Sequence, residues 1–128
     1  MLKLYELLSG IIEPICTCFV DHYPETEAKV YPYVEIKFPN VLSNDCADED
    51  ISDNNLLEVD VWNDKGTDIT QIETISSAIH KELNRLQYNG GSIYVSIRGN
   101  YPYRLSLPDP IMHIQRRQLR YIVTTYSK

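Results

Sequence analysis

Apolar side chains recur at three- and four-residue spacing near the start of the chain, at Leu4, Leu7, Leu8, Ile11 and Ile15. That period predicts an amphipathic helix over about Leu2 to Glu13, stopped by Pro14. Cys16 to Lys29 carries no period and reads as irregular. From Val30 to Phe38 the period becomes two, with Val34, Ile36 and Phe38 on one face and Tyr33, Glu35 and Lys37 on the other. Pro32 restricts that strand's start to an edge or a first position. Pro39 to Asn55 is a long polar connection, beyond ordinary hairpin length. Alternation resumes over Leu56 to Trp62, where Leu57, Val59 and Val61 oppose Glu58, Asp60 and Trp62. These two strands read as a hairpin with an oversized tip.

After the polar turn Asn63-Asp64-Lys65-Gly66, the residues Ile69, Ile72, Ile75, Ile79, Leu83 and Leu86 stripe a second helix. Thr67 or Asp68 serves as its N-cap, and Asp68-x-x-Gln71 has the form of a loose capping box. Lys81 and Arg85 sit near its C-terminal end, where cations suit the helix dipole. Asn89-Gly90-Gly91 supplies residues for leaving it. A third strand alternates Ile93, Val95 and Ile97 with Tyr94, Ser96 and Arg98; a loop over Gly99 to Pro110 follows. The final strand, from about His113 to Tyr126, sets Arg117, Leu119, Tyr121 and Val123 against Arg116, Gln118, Arg120 and Ile122. This order predicts one α+β domain spanning residues 1–128. Its two helices pack on one face of a single mixed or antiparallel sheet of about four strands. If the second and third strands are parallel neighbours, their crossover is right-handed.

Composition narrows the class. The chain is 43% hydrophobic and 23% charged, as in soluble globular proteins. Its ten tyrosines suit surfaces that are buried part of the time, such as subunit contacts. The net charge of −6 disfavours a general nucleic-acid binder. The charge is also unevenly spread. Residues 1–64 hold 14 acids and three bases, a net of −11; residues 65–128 hold four acids and nine bases, a net of +5. If that division persists in space, copies can stack acidic face to basic face. The three cysteines, Cys16, Cys18 and Cys46, suggest reduced thiols and a cytoplasmic compartment. Glu6 and Glu13 interrupt the N-terminal apolar run, against a signal peptide, and no stretch has the length of a membrane span.

Candidate chemistry is sparse. Glu35-Ile36-Lys37 places a carboxylate and an ammonium on one strand face, as metal-dependent nucleases do, with Asp21 or Glu27 as a candidate upstream acid. A charged strand face yields the same tripeptide without chemistry. Cys16-x-Cys18 with His22 and Cys46 fits no strong zinc spacing, and small buried thiols are the simpler reading. Glu58 and Asp60 read as solvent-facing charge, and His80 and His113 as surface or rim residues without a triad partner. The acidic loop within that connection, around Asp45 to Asp50, lacks EF-hand spacing. Arg116-Arg117-x-x-Arg120 can grip phosphate, or pair with a neighbour's acidic loop. No catalytic, cofactor or metal site is assigned.

Taken together, Tyr31-Pro32-Tyr33-Val34, Leu57-Glu58-Val59-Asp60-Val61-Trp62, the isoleucine helix and Arg116-Arg117-x-Leu119-Arg120-Tyr121 resemble the tail terminator, or tail completion, proteins of long-tailed bacteriophages and prophages. The resemblance runs from about Leu2 to Tyr126 and is weaker over Cys16 to Lys29 and in the acidic loop. It implies a non-enzymatic subunit of a homo-hexameric ring, with a free subunit that can stay monomeric. The ring would cap the major tail tube protein, end polymerisation and meet a head-completion or connector protein. DNA would pass the channel without sequence-specific binding, and no membrane or cofactor is involved. The implied setting is the bacterial cytoplasm during assembly and then the virion tail. Partner contacts are expected from Asp45, Asp48, Glu49, Asp50, Tyr101, Tyr103, Arg104, Arg116, Arg117 and Arg120. The alternatives are a stopper protein at the same joint and a small nuclease using Glu35 and Lys37.

Overall fold

The computed structural model of the chain describes residues 2–21, 24, 28–39, 53–91, 93–107 and 113–127. Helix α1 spans Leu2–Ile12 and strand β1 Cys18–Val20. Strands β2 (Tyr33–Lys37) and β3 (Asp53–Asn63) precede helix α2 (Thr70–Leu83); β4 (Gln87–Asn89), β5 (Ile93–Leu107) and β6 (Gln115–Ser127) complete the chain. Among the described residues these strands form one sheet in the order β1-β2-β3-β6-β5-β4, and the sheet curls toward a half-barrel.

The expected architecture, two helices on about four strands, is therefore overturned: the chain is mostly sheet. The difference comes from segments too short or too irregular to show a period. Cys18–Val20 is strand because it pairs in parallel with Val34–Ile36. Gln87–Asn89, exposed along its length, is strand because it pairs with Tyr94–Ser96. Of the expected loop over Gly99 to Pro110, the part to Leu107 instead carries β5 along β6, with a register shift between Gly99 and Arg104, and Pro108 to Pro110 lie outside the described residues. The irregular reading of Cys16 to Lys29 and the long connection are correspondingly shortened.

Helix α1 ends one turn before Cys16. The Ile15 and Cys16 amides both bond to the Ile12 carbonyl, and the Glu13 carboxylate accepts the Cys18 amide at 2.9 Å, starting β1. Helix α2 begins after Asp68, whose carboxylate accepts the Thr70 amide at 3.0 Å. Gln71 does not close a capping box; its side-chain oxygen accepts from Asn63 at 3.0 Å. The helix stops at Leu83, short of Leu86, and the chain turns at Arg85 with φ +66°. The expected exit at Asn89-Gly90-Gly91 is instead the turn between β4 and β5, where Gly91 takes φ +87°.

One core cluster joins Leu4, Leu8 and Ile12 of α1 and Ile72, Ile75, Ile79 and Leu83 of α2 to one face of the sheet. That face carries Val34, Ile36, Leu57, Val59, Val61, Val95, Ile97, Leu119, Tyr121 and Val123, in the predicted alternation. β2 and β3 form the expected antiparallel hairpin. β3 and β5 run parallel but are not neighbours, since β6 lies between them and is antiparallel to both.

Candidate interaction surface

The sheet face opposite the core is organised around Asp60. Register places Asp60 directly across from Glu35 on β2 and Gln118 on β6. Two carboxylates facing each other across a ladder repel. Cations at the diagonal positions offset that cost. Arg116 donates to Asp60 Oδ1 through Nε at 3.2 Å and Nη2 at 3.1 Å, and Gln118 Nε2 donates to the same oxygen at 3.2 Å. Lys37 Nζ lies 3.4 Å from Oδ2. Glu35 turns to the indole N–H of Trp62, at 3.2 Å. Trp62 stacks beside Tyr33 with ring centroids 6.1 Å apart, and the Arg116 guanidinium lies 4.9 Å above its ring. Asp60 is fully buried, not solvent-facing as its sequence context suggested. A buried carboxylate is tolerated because two cations and an amide hold it.

Glu35 and Lys37 do share a face, as a nuclease reading requires. Their neighbourhood differs from such a site, however, because the carboxylate nearest Lys37 is committed to Arg116 and Gln118. Among the described residues no three His, Cys, Asp or Glu side chains gather as metal ligands. Cys16 is buried and Cys18 half-buried, and burial foremost pushes their thiols up, to about 11 and about 12. Such thiols are poor nucleophiles and poor metal ligands at neutral pH.

On the core side, the rim between α2 and the strands holds a second ionic cluster. Glu73 of α2 accepts from Arg117 Nε at 2.6 Å and from Arg104 Nη1 at 3.2 Å; Arg104 Nη2 donates to the Ser77 hydroxyl at 3.3 Å. One turn further along α2, His80 Nδ1 lies 2.8 Å from the Tyr121 hydroxyl, and the His80 ring stacks on Tyr103 with centroids 4.2 Å apart. Burial, then the Arg104 charge, holds the His80 pKa below the ordinary histidine value, and burial foremost raises that of Tyr121. His80 is thus a structural partner of β6, where the sequence suggested a rim residue. A cavity of about 440 Å³ lies between α1 and the β4–β5 hairpin, lined mainly by Leu4, Leu7, Tyr88, Ile93 and Val95.

The structure places the expected contact residues apart. Arg116 and Arg117 point to opposite faces and have partners inside the molecule, Asp60 and Glu73. Arg104 joins Arg117 on Glu73. Tyr103 packs on His80, and Arg120 stands across from Glu58 with its Nε buried and without a hydrogen bond. Tyr101 lies within β5, its side chain outside the described residues; Asp45, Asp48, Glu49 and Asp50 also fall outside them. Sequence reasoning missed Asp60 and Glu73 as the hubs. The available signal was Asp60 at a position flanked by valines, with Lys37 and Arg116 on strand faces of matching parity.

The strand order follows the division of the sequence. β1, β2 and β3 all come from residues 1–64, and β6, β5 and β4 all come from residues 65–128. The sheet therefore divides into a side built from the half with net −11 and a side built from the half with net +5. Exposed Arg85 precedes β4 and exposed Arg98 lies on β5. Among the described residues no helix is long and apolar enough to cross a membrane. Compared with models of protein families the chain matches none, and no curated protein matches it in sequence.

Proposed function

We propose that this chain is a structural subunit that assembles head to tail into a closed ring and caps a phage tail tube, ending its polymerisation at the head–tail joint. The observation that carries the reading is the division of the sheet into a side from the acidic half of the sequence and a side from the basic half. A ring needs two unlike surfaces on each subunit, and opposite charge on the two would supply both attraction and polarity. The polar clusters around Asp60 and Glu73 support a load-carrying role, because they tie neighbouring elements together. The tail-tube assignment itself comes from the sequence resemblance. In this reading the partners are the tail tube protein on one side of the ring and a connector on the other.

The test is electron microscopy of the purified chain mixed with the tube-forming protein encoded beside it. Capping predicts rings at tube ends and tubes that stop lengthening. Tubes that grow unchanged, with no density at their ends, remove the tail-terminator reading.

A further inference from the structure

We infer that Arg98 and Arg120 form a binding site for the terminal phosphate of a small molecule, on the sheet face opposite the helices. The site stands independently of the ring reading. Both residues lie on that face: Arg98 stands across from Ile122, and Arg120 lies two residues before Ile122 on β6. Diagonal neighbours of this kind have Cβ atoms less than about 8 Å apart, close enough for two long side chains to reach one ligand. The register shift falls beside them. Gly99 pairs with Tyr121 and Arg104 with Leu119, so β5 sets no registered partner across from Arg120. Tyr103, within that bulge, turns to the helix side and packs on His80.

The pair is singled out by its lack of a counter-ion. Arg116 holds Asp60, and Arg104 and Arg117 share Glu73. Among the described residues, the Arg98 and Arg120 side chains have no ion pair or hydrogen bond. Glu58 stands across from both Lys37 and Arg120 without pairing to either, and Lys37 is taken by Asp60. Arg98 is exposed, whereas Arg120 is half-buried with its Nε out of water. A guanidinium partly withdrawn from water beside a second cation carries an uncompensated cost. Half-buried Leu56 and Ile122, next along the same face, lower the local dielectric and raise that cost. An oxyanion bridging the two guanidiniums offsets it through charge-assisted hydrogen bonds.

Charge selects the ligand. Two guanidiniums match a terminal phosphate, about −1.5 to −2 at pH 7, better than a carboxylate. Glu35, Glu58 and Asp60 share the face and oppose an extended polyanion, so the phosphate belongs to a small molecule and not to a nucleic-acid backbone.

Titration of the whole chain with inorganic phosphate, at constant ionic strength, tests the site. The readout is the arginine Nε–H signals in heteronuclear NMR spectra, assigned with Arg98→Lys and Arg120→Lys. Saturable shifts are expected at Arg98 and Arg120, with Arg116 and Arg117 unmoved. Arg98→Gln, at an exposed position, should weaken phosphate binding roughly tenfold with an unchanged melting temperature. Glu58→Gln, which removes the competing charge, should tighten it severalfold. Acetate should bind roughly tenfold more weakly than phosphate. Shifts that do not saturate mean an adventitious ion only and overturn the inference, as does binding unchanged in Arg98→Gln or acetate bound as tightly as phosphate. A short DNA duplex that moves the same signals at a lower phosphate-group concentration overturns the small-molecule assignment.

Discussion

Asp60 is the residue on which the outer face depends. Its carboxylate is fully buried between Lys37, Arg116 and Gln118. Asp60→Ala strands two cations and is expected to cost about 3 kcal/mol in urea denaturation. Arg116→Glu sets a third carboxylate beside Asp60 and Glu35, whereas Arg117→Glu meets the partly exposed Glu73. Both reversals should lower the urea midpoint, Arg116→Glu the more, because the carboxylate it strands is the buried one. His80 contributes with a definite sign. Its pKa in the fold lies below the ordinary value of 6.5, so the unfolded chain binds the proton more readily. Its contribution is complete above that value and declines as pH falls through it toward the lowered pKa. Wild-type stability should therefore drop as pH falls through 6.5 toward the lowered pKa, with a shallower drop in His80→Gln.

At the scale of elements, the periodic segments were legible and the pairing-dependent ones were not. The α2 stripe from Ile72 to Leu83 and the alternation in β2, β3 and β6 follow directly from which side chains must leave water. Leu86 fits the helical stripe but lies beyond the left-handed Arg85, in the chain leading to β4. Periodicity cannot see that, because a partly buried leucine satisfies either path. β1 and β4 are three residues each and exist through their ladders, so no local pattern announces them. The Asp60 cluster was hidden for the same reason: its four members come from three strands whose register is a tertiary fact. Burial also separates residues within the one stripe. Ile79→Ala, fully buried against the sheet, should cost about 2–5 kcal/mol. Ile69→Ala, half-exposed before the first turn of α2, should stay within about 0.5 kcal/mol in the same denaturation experiment.

The whole molecule is a sheet with two unlike sides. Within the sheet, the strands of the two sequence halves form two three-strand groups because β3 pairs with β6. In the ring reading proposed above, attraction between copies should fall as salt screens it. The most direct measurement is the symmetry of the assembled chain, by native mass spectrometry together with class averages of single particles. Head-to-tail closure predicts a cyclic particle of six copies that dissociates as salt is raised. A two-fold dimer or an open filament would contradict it.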